Sequence, residues 1–228
     1  MLRAVIFDFD GVIADAEPVH LRAFQLVLGE EGISLSREDY YNKYLALDDK
    51  TCFAHILKDN KRDFDKTLID DLVARKSRCY DKFIENHIVI FPGVKDFVKG
   101  LYSRYFLAIG SGALRHEIET ILGRAGLGDE FKIIVSAEDV ENCKPHPEVF
   151  IKVLHQINRL TSLNNETIFP YECLVIEDSI AGIKAAHYAG MKCLAITNSY
   201  TAERLSKADV VVDSLERVKM EEIEGKLF

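Results

Sequence analysis

The part of the chain that follows residue 93 alternates short apolar runs with segments of helical spacing, and this alternation constrains the fold more than any other feature. The apolar runs predict strands at residues 105–109, 132–135, 173–176, 192–196 and 209–212. The segments between them predict helices at residues 94–102, 116–125, 148–158 and 181–189. Strands that alternate with helices form a parallel sheet with helices on both faces. We therefore expect an α/β fold with a doubly wound, Rossmann-like parallel sheet.

Another strand is predicted near the N-terminus, before this alternation begins. Residues 3–7 are apolar after Arg3 and rich in branched and aromatic side chains, and the run stops at Asp8. Such a pattern is typical of a buried strand that runs into a polar turn. The sheet is therefore predicted to include a strand that ends directly before aspartates.

The segment between this strand and residue 87 shows no convincing strand pattern. Its apolar residues recur at helical spacing, as in Leu21, Phe24, Val27 and Leu28. This helical block interrupts the α/β domain, so the chain is expected to cross between the two parts twice. We predict an α/β catalytic core at residues 1–15 plus 90–228 and an all-helical cap at residues 16–89, which acts as a hinged lid.

The charge of the chain limits the class of partner. It has 29 Lys and Arg against 37 Asp and Glu, a formal net charge of −8. Nucleic-acid affinity depends on clustered cations that neutralise phosphates, so we expect no nucleic-acid partner. A small phosphorylated metabolite stays compatible with this charge, since one local cation can outweigh a distant mean charge. We expect a monomer or a weak dimer.

Hydropathy and cysteine spacing indicate where the protein resides. The apolar runs are far shorter than the roughly 20 residues that a helix needs to span a bilayer. The N-terminal residues lack the pattern of a secretory signal. The five cysteines are odd in number and widely spaced, unlike a zinc site or a disulfide framework. We therefore expect a cytoplasmic protein with no membrane partner and with reduced, mostly buried thiols.

Polar residues follow four of the predicted apolar segments, where a ligand site lies in open parallel sheets. The first group is Asp8 and Asp10, in the segment DFDGV. Alternate residues of an extended segment point the same way, so both carboxylates can face one site. One of them can then attack a substrate while the other moves protons.

The second and third groups supply a hydroxyl and a cation. Ser111 lies between two glycines, where backbone N–H groups can approach a ligand and the hydroxyl can donate to a phosphate oxygen. Lys144 lies in a loop stiffened by Pro145 and Pro147, and its charge can steady a phosphoryl group beside a carboxylate. These residue types suit phosphoryl transfer.

The fourth group is Glu177 and Asp178, which follow the strand at residues 173–176. With Asp8 and Asp10 they can hold a hard cation through oxygen ligands. Each of the four motifs alone is also a common turn, loop or helix cap. Their joint order is more specific, because like charges gathered at one sheet edge destabilise the fold unless a cation neutralises them.

This order of motifs resembles the haloacid dehalogenase superfamily over nearly the whole chain. The likeness is strongest in the segment VIEDSIAGIKAA at residues 175–186, which is similar to the β-phosphoglucomutase-like and phosphoglycolate-phosphatase-like branch. The helical block after the first motif looks like the cap of that branch. The resemblance implies a phosphohydrolase with a parallel-sheet core and an inserted cap.

The resemblance also implies a role for each motif residue. Asp8 is then the nucleophile and Asp10 the general acid and base, while Ser111, Gly112 and Lys144 bind the phosphoryl group. Mg²⁺ is implied on Asp8, the Asp10 main-chain carbonyl and Asp178, with Glu177 assisting. These roles are chemically consistent, because Mg²⁺ and a lysine offset the charge that spreads over the phosphoryl oxygens.

Two cap residues, His20 and Lys76, match positions that face the substrate in the phosphomutases of this branch. Each also has a structural alternative. A lysine on a charged helical face is usually solvated, and a lone histidine in an amphipathic helix is more often structural. His20 and Lys76 are therefore candidates for substrate contact.

Several residues bear on related activities of the superfamily. Phosphomutases of the branch carry a cap arginine for the substrate's second phosphate, and the matching position here is Asp49. Dehalogenases lack the second aspartate, so Asp10 argues against dehalogenation. Phosphonoacetaldehyde hydrolysis needs a Schiff-base lysine in the cap, for which Lys50 is a weak candidate.

The sequence therefore favours a magnesium-dependent phosphatase, a phosphoric monoester hydrolase that passes the phosphoryl group through an aspartyl-phosphate on Asp8. A small sugar phosphate is the favoured substrate. A β-phosphoglucomutase-like phosphomutase and a non-catalytic phosphate-binding protein of the same fold are the alternatives. Periodicity does not identify the cap residues that face the site, so hexose phosphate, phosphoglycolate and nucleoside monophosphate stay open.

Overall fold

The structure, a computed structural model, describes residues 1–45, 47–87, 89–161 and 166–228. The chain divides into two compact units, Met1–Asp15 with Val89–Phe228 and Ala16–Ile88. We call the first the sheet unit and the second the helical unit. Within the described residues, none of the helices combines the length and the hydropathy that a membrane crossing needs.

Among the residues that the structure describes, the strands all belong to the sheet unit. Their bounds are β1 Ala4–Phe7, β2 Ala14–Asp15, β3 Val89–Ile90, β4 Phe106–Gly110, β5 Ile133–Val135, β6 Cys173–Glu177, β7 Lys192–Ile196 and β8 Val210–Val212. Six of them form one parallel sheet in the order β5-β4-β1-β6-β7-β8. The chain builds outward from β1 first on one side and then on the other, so β1 lies at the switch point where ligands bind in open α/β sheets.

Helices occur in both units. The helical unit contains α1 Glu17–Glu30, α2 Arg37–Asp39, α3 Asp49–Asp59 and α4 Lys66–His87, and a π-helical turn, Tyr40–Tyr44, follows α2. The sheet unit contains α5 Val94–Leu101, α6 Arg115–Ala125, α7 Glu148–Thr161, α8 Ile180–Tyr188 and α9 Met220–Leu227.

Apolar side chains cover both faces of the sheet. On one face, Ala4 and Ile6 of β1 belong to a buried cluster that includes Phe150 of α7 and Ile183 of α8. On the other face, the Phe7 ring meets the Phe97 ring of α5 edge-on, with ring centroids 6.3 Å apart. All four residues of β1 are buried, which is why this strand reads as a continuous apolar run rather than an alternating one.

The helical unit has an apolar core of its own. Phe24 of α1 and Phe53 of α3 lie with ring centroids 4.8 Å apart in a cluster that also contains Leu72 of α4. Asp48 is the N-cap of α3, and its carboxylate accepts the backbone N–H groups of Lys50 and Thr51. The apolar residues that recur at helical spacing in the sequence thus pack together as the core of this unit.

A short antiparallel pair lies where the chain leaves and re-enters the sheet unit. Ala14 of β2 pairs with Ile90 of β3, and Asp15 pairs with Val89. The Phe91 N–H extends this ladder by donating to the Ile13 carbonyl at 3.1 Å. The two crossing segments are therefore fixed beside each other by backbone hydrogen bonds.

The predicted α/β fold with a doubly wound parallel sheet is confirmed, and each predicted strand lies within two residues of an observed one. The antiparallel pair and α9 were not anticipated, because a two-residue strand and an eight-residue helix leave weak patterns. The five thiols are free; Cys143 is exposed, Cys79 is partly buried and the remaining three are buried.

Candidate active site

The segments that follow β1, β4 and β6 lie at one edge of the sheet. Phe7, the last residue of β1, pairs with Ile109 of β4 and with Ile176 of β6. The backbone N–H of Asp8 donates to the Ile176 carbonyl at 2.9 Å. This register places the polar residues after the three strands beside one another, as expected from the carboxyl ends of a parallel sheet.

Lys144 connects two of these segments. Its ammonium Nζ lies 2.8 Å from Asp8 Oδ1 and 2.7 Å from Glu177 Oε1. It also lies 5.0 Å from the centroid of the Phe150 ring, within cation–π range. Burial alone would lower the pKa of Lys144, but the carboxylates of Asp8 and Glu177 raise it above its ordinary value. The lysine therefore stays charged at the site.

Glu177 is completely buried and all its oxygens are engaged. Oε1 accepts from Lys144, and Oε2 accepts from the backbone N–H groups of Asp178 and Ser179 and from the Ser179 hydroxyl. The Ser179 hydroxyl in turn accepts the Gly182 N–H and caps α8. Glu177 is thus anchored to the start of α8 and holds Lys144 in place.

Asp178, which directly follows β6, is also buried. The Ser199 hydroxyl donates to its Oδ2 atom. Gly11 packs directly against the carboxylate, since a Cβ atom at that position would overlap Asp178. Gly11 also has a φ of 77°, a backbone conformation that favours glycine. The turn after Asp10 therefore depends on a residue without a side chain.

Asp8, Glu177 and Asp178 form a compact group of carboxylates. Each offers an oxygen, and these oxygens lie within 4.8 Å of one another. Burial raises the pKa of Asp178 well above its ordinary value, and the negative charges of Glu177 and Asp8 raise it further. Burial also raises the pKa of Glu177, although Lys144 opposes the shift.

The charges of this group fit a metal ion. Lys144 forms ion pairs with two of the three carboxylates, Asp8 and Glu177, so its single positive charge does not balance the group. A buried excess of negative charge is costly unless a further cation offsets it. An all-oxygen donor set suits a hard divalent cation. Three of the four acidic residues singled out in the sequence, Asp8, Glu177 and Asp178, therefore lie together, and their oxygens suit a divalent metal.

Asp10 and Ser111 lie at the same edge of the sheet. Asp10 precedes the tight turn in which the Gly11 N–H donates to the Ala14 carbonyl at 2.9 Å. Ser111 directly follows β4 and is buried, and its hydroxyl accepts the Ala113 N–H at 3.2 Å. A Cβ atom at Gly112 would meet nothing within 4 Å, so the backbone there is open on that side.

The helical unit contains a polar cluster around Lys76. Lys76 is 2% exposed, so the solvated alternative is wrong for this lysine. Its Nζ atom lies 2.9 Å from the Asp49 carboxylate and 2.7 Å from His20 Nδ1. The His20 ring stacks on Tyr80 with centroids 4.3 Å apart. The two candidate residues His20 and Lys76 therefore lie in contact with each other, and Asp49 is the counter-ion of Lys76.

The His20 ring is the neutral partner in this cluster. A lysine ammonium can only donate, so Nδ1 accepts and Nε2 carries the proton. Burial lowers the pKa of His20 well below its ordinary value, and the Lys76 charge lowers it further. Sequence reasoning did not foresee the Asp49 ion pair, because a spacing of 27 residues between two helices leaves no periodic signal.

Two further residues of the site, Asn198 and Ser199, were missed from the sequence. They follow β7, whose last residue is Ile196. The Asn198 side chain donates to the Gly11 carbonyl at 2.7 Å, and Ser199 binds Asp178. The sequence signal for both residues is their position directly after a parallel strand, where ligand sites form in open sheets.

Comparison with known proteins agrees with this geometry. The sequence model of the haloacid dehalogenase-like hydrolases matches residues 5–196. The fructose-1-phosphate phosphatase of Escherichia coli is 30% identical over 82% of this chain and 92% of its own. The phosphorylated carbohydrates phosphatase of Thermotoga maritima is 27% identical over 84% and 83%. A β-phosphoglucomutase from Clostridium difficile superposes with a TM-score of 0.83 at 26% identity, covering 100% of this chain and 97% of its own.

Proposed function

Because the chain belongs to the haloacid dehalogenase-like hydrolases, we propose that it is a magnesium-dependent phosphatase that forms an aspartyl-phosphate on Asp8. Its substrate is a small phosphomonoester, with a sugar phosphate favoured. The observation that carries the proposal is the contact of Lys144 with Asp8 beside two further buried carboxylates. This arrangement unites a nucleophile, a cation for the phosphoryl oxygens and ligands for a metal.

In the first half of the reaction, an Asp8 oxygen attacks phosphorus and the bond to the leaving oxygen breaks. Asp10 donates its proton to the leaving alkoxide, which departs as an alcohol. In the second half, Asp10 takes a proton from water, and the resulting hydroxide attacks the phosphorus of the aspartyl-phosphate. Inorganic phosphate leaves and Asp8 is regenerated. Covalent capture thus divides one difficult transfer into two easier ones.

Lys144, Ser111 and Gly112 hold the phosphoryl group during both halves. The Lys144 ammonium, fixed between Asp8 and Glu177, can offset the negative charge on the phosphoryl oxygens without reorienting. The buried Ser111 hydroxyl and the open backbone at Gly112 supply neutral hydrogen-bond donors. Asp8, the Asp10 main-chain carbonyl and Asp178 would hold Mg²⁺, which neutralises the approach of a carboxylate to a phosphate dianion.

Glu177 assists mainly through Lys144. Three donors already occupy its Oε2 atom, and Oε1 accepts from the lysine. We therefore propose that Glu177 orients Lys144 directly and only assists the residues that bind the metal.

We assign recognition of the leaving group to the helical unit, acting as a cap, with His20 and Lys76 as its candidate contacts. Asp49 neutralises Lys76 where phosphomutases of this branch carry an arginine, so the cluster has no excess positive charge for a second phosphate. Relatives named for fructose 1-phosphate and phosphorylated carbohydrates support a sugar phosphate. Both observations favour hydrolysis over phosphomutase activity.

The proposal is tested by release of inorganic phosphate from a generic aryl phosphate. We expect activity with Mg²⁺, none in excess chelator, and recovery when Mg²⁺ is restored. Asp8→Asn should abolish both turnover and the acid-stable phosphoenzyme that is trapped from rapid-quench samples. Full activity in chelator would contradict the metal requirement, and near-normal turnover of Asp8→Asn would contradict the nucleophile.

The substrate class is tested by a steady-state screen of phosphorylated metabolites, with glucose phosphates also assayed for interconversion. We expect the highest kcat/KM among sugar phosphates. Preferential turnover of phosphoproteins would contradict a small substrate. Isomerisation of glucose phosphates without net release of phosphate would support the phosphomutase alternative despite Asp49.

A further inference from the structure

Two neighbouring side chains after β7 contact the loops that follow β1 and β6. Asn198 Nδ2 donates to the Gly11 main-chain carbonyl at 2.7 Å. The Ser199 hydroxyl donates to Asp178 Oδ2. One short segment therefore makes hydrogen bonds to both loops that carry the proposed metal ligands.

The contact with Asp178 limits how its carboxylate can turn. The Oδ2 atom of the carboxylate lies directly against Gly11, where no Cβ could fit, and Ser199 binds the same atom. Asp178 also shares a buried space with the like charges of Asp8 and Glu177. Without a fixed hydrogen-bond donor, repulsion from these two carboxylates would push the Asp178 side chain away from them. Ser199 supplies that donor.

The contact with Gly11 fixes the main chain beside Asp10. Gly11 has a φ of 77°, and its N–H is already bound to the Ala14 carbonyl at 2.9 Å. Asn198 binds the carbonyl of the same residue, so the polar groups at both ends of Gly11 are engaged. The orientation of the neighbouring peptide of Asp10 depends on this turn.

We propose that Asn198 and Ser199 are positioning residues. They hold the Asp178 carboxylate and the Asp10–Gly11 main chain in the orientation that binds the metal ion. The inference rests on the proposed function, because it assumes that these groups bind Mg²⁺. Residues that orient metal ligands through hydrogen bonds typically change metal affinity by about 10-fold to 100-fold when removed. Asn198 and Ser199 contact no reacting atom in this assignment and act through Asp178 and Gly11.

The test measures the Mg²⁺ dissociation constant of the full-length protein by isothermal titration calorimetry. We expect Ser199→Ala to weaken Mg²⁺ binding by about 10-fold or more, and Ser199→Thr, which keeps the hydroxyl, to restore binding to within about 3-fold of the wild type. Thr201→Ala, which removes an exposed hydroxyl two residues further on, is the matched control and should bind as the wild type does. Asn198→Ala provides a second, independent variant and should also weaken binding.

Thermal unfolding in chelator separates positioning from folding. The positioning role predicts that the variants lose metal affinity out of proportion to any change in metal-free stability, and that kcat recovers at saturating Mg²⁺. Wild-type affinity in both Ser199→Ala and Asn198→Ala would overturn the inference while the proposed function stands. A wild-type protein that binds no Mg²⁺, with Asp178→Asn indistinguishable from it, would overturn both.

Discussion

At the scale of single residues, substitution of Asp10 is predicted to lower kcat without weakening Mg²⁺ binding. Asp10→Asn keeps the main-chain carbonyl but cannot move a proton. We expect kcat to fall by about 100-fold to 10,000-fold, the usual contribution of a general acid or base. The Mg²⁺ dissociation constant, measured by calorimetry, should change little. A variant that lost metal binding and activity together would contradict the separation of these two roles.

The burial of Lys76 gives its counter-ion Asp49 a predicted role in stability. Asp49→Ala leaves a buried ammonium with His20 as its neighbour and without its counter-ion. We expect urea unfolding to show a loss of about 1–3 kcal/mol, reduced because Asp49 is partly exposed. The double variant with Lys76→Met should be more stable than Asp49→Ala alone. If Asp49→Ala and the double variant were equally stable, the unpaired Lys76 ammonium would carry no cost, and the prediction would be wrong.

His20 gives the helical unit a predicted dependence on pH. Its pKa is lowered in the folded protein, so the unfolded chain binds a proton more readily near and below the ordinary value of 6.5. Stability should therefore fall as the pH drops below that value, with a slope of up to about 1.4 kcal/mol per pH unit from this group. His20→Gln keeps an acceptor for Lys76 but does not titrate. Its stability curve, measured by urea unfolding from pH 5 to 8, should be flatter than that of the wild type, and parallel curves would contradict the assignment.

At the scale of elements, the start of α8 is coupled to the site through Gly182. A Cβ atom there would overlap the Glu177 carboxylate, which holds Lys144. We expect Gly182→Ala to lower both thermal stability and activity. Gly123 in α6 is the matched control, because a Cβ atom there meets nothing within 4 Å. Gly123→Ala should raise stability by about 0.5–1 kcal/mol and leave activity unchanged. Stabilisation by both substitutions would show that Glu177 can move freely.

The same scale shows what the sequence could and could not predict. Strand β1 and its aspartates were identifiable because a buried parallel strand is continuously apolar and ends abruptly. The contacts of Lys144 with both Asp8 and Glu177 could only be inferred from the order of motifs, since they join three separate strand ends. The pairing of Lys76 with Asp49 left no local pattern, because it depends on how α3 and α4 pack.

At the scale of the whole molecule, the metal-free protein is predicted to carry electrostatic strain. The pKa of Asp178 is raised in the folded state, so the folded protein holds this proton more tightly than the unfolded chain does. Ionisation of Asp178 therefore lowers the free energy of unfolding. This loss is absent below the ordinary pKa of 3.8 and grows as the pH rises through the raised pKa. At pH 7 in chelator, we therefore expect Asp178→Asn to unfold at a higher temperature than the wild type.

Mg²⁺ should reverse that order. Binding to the folded state alone stabilises the wild type by mass action, and the variant lacks one of the proposed ligands. Thermal unfolding with and without Mg²⁺ at pH 7 measures both effects. A wild type more stable than Asp178→Asn in chelator would contradict the predicted strain.

The antiparallel pair of β2 and β3 has a consequence for how such a protein can diversify. Asp15 and Val89 face each other across this ladder, so the insertion begins and ends at adjacent points of the sheet unit. A hairpin turn of a few residues could close the same gap, because the ends of paired strands are only about 5 Å apart. Segments of very different length and sequence can therefore be exchanged at this junction without a change in strand order. Under the proposed function, such an exchange would alter which metabolite is recognised and leave the residues that cleave the phosphate ester unchanged.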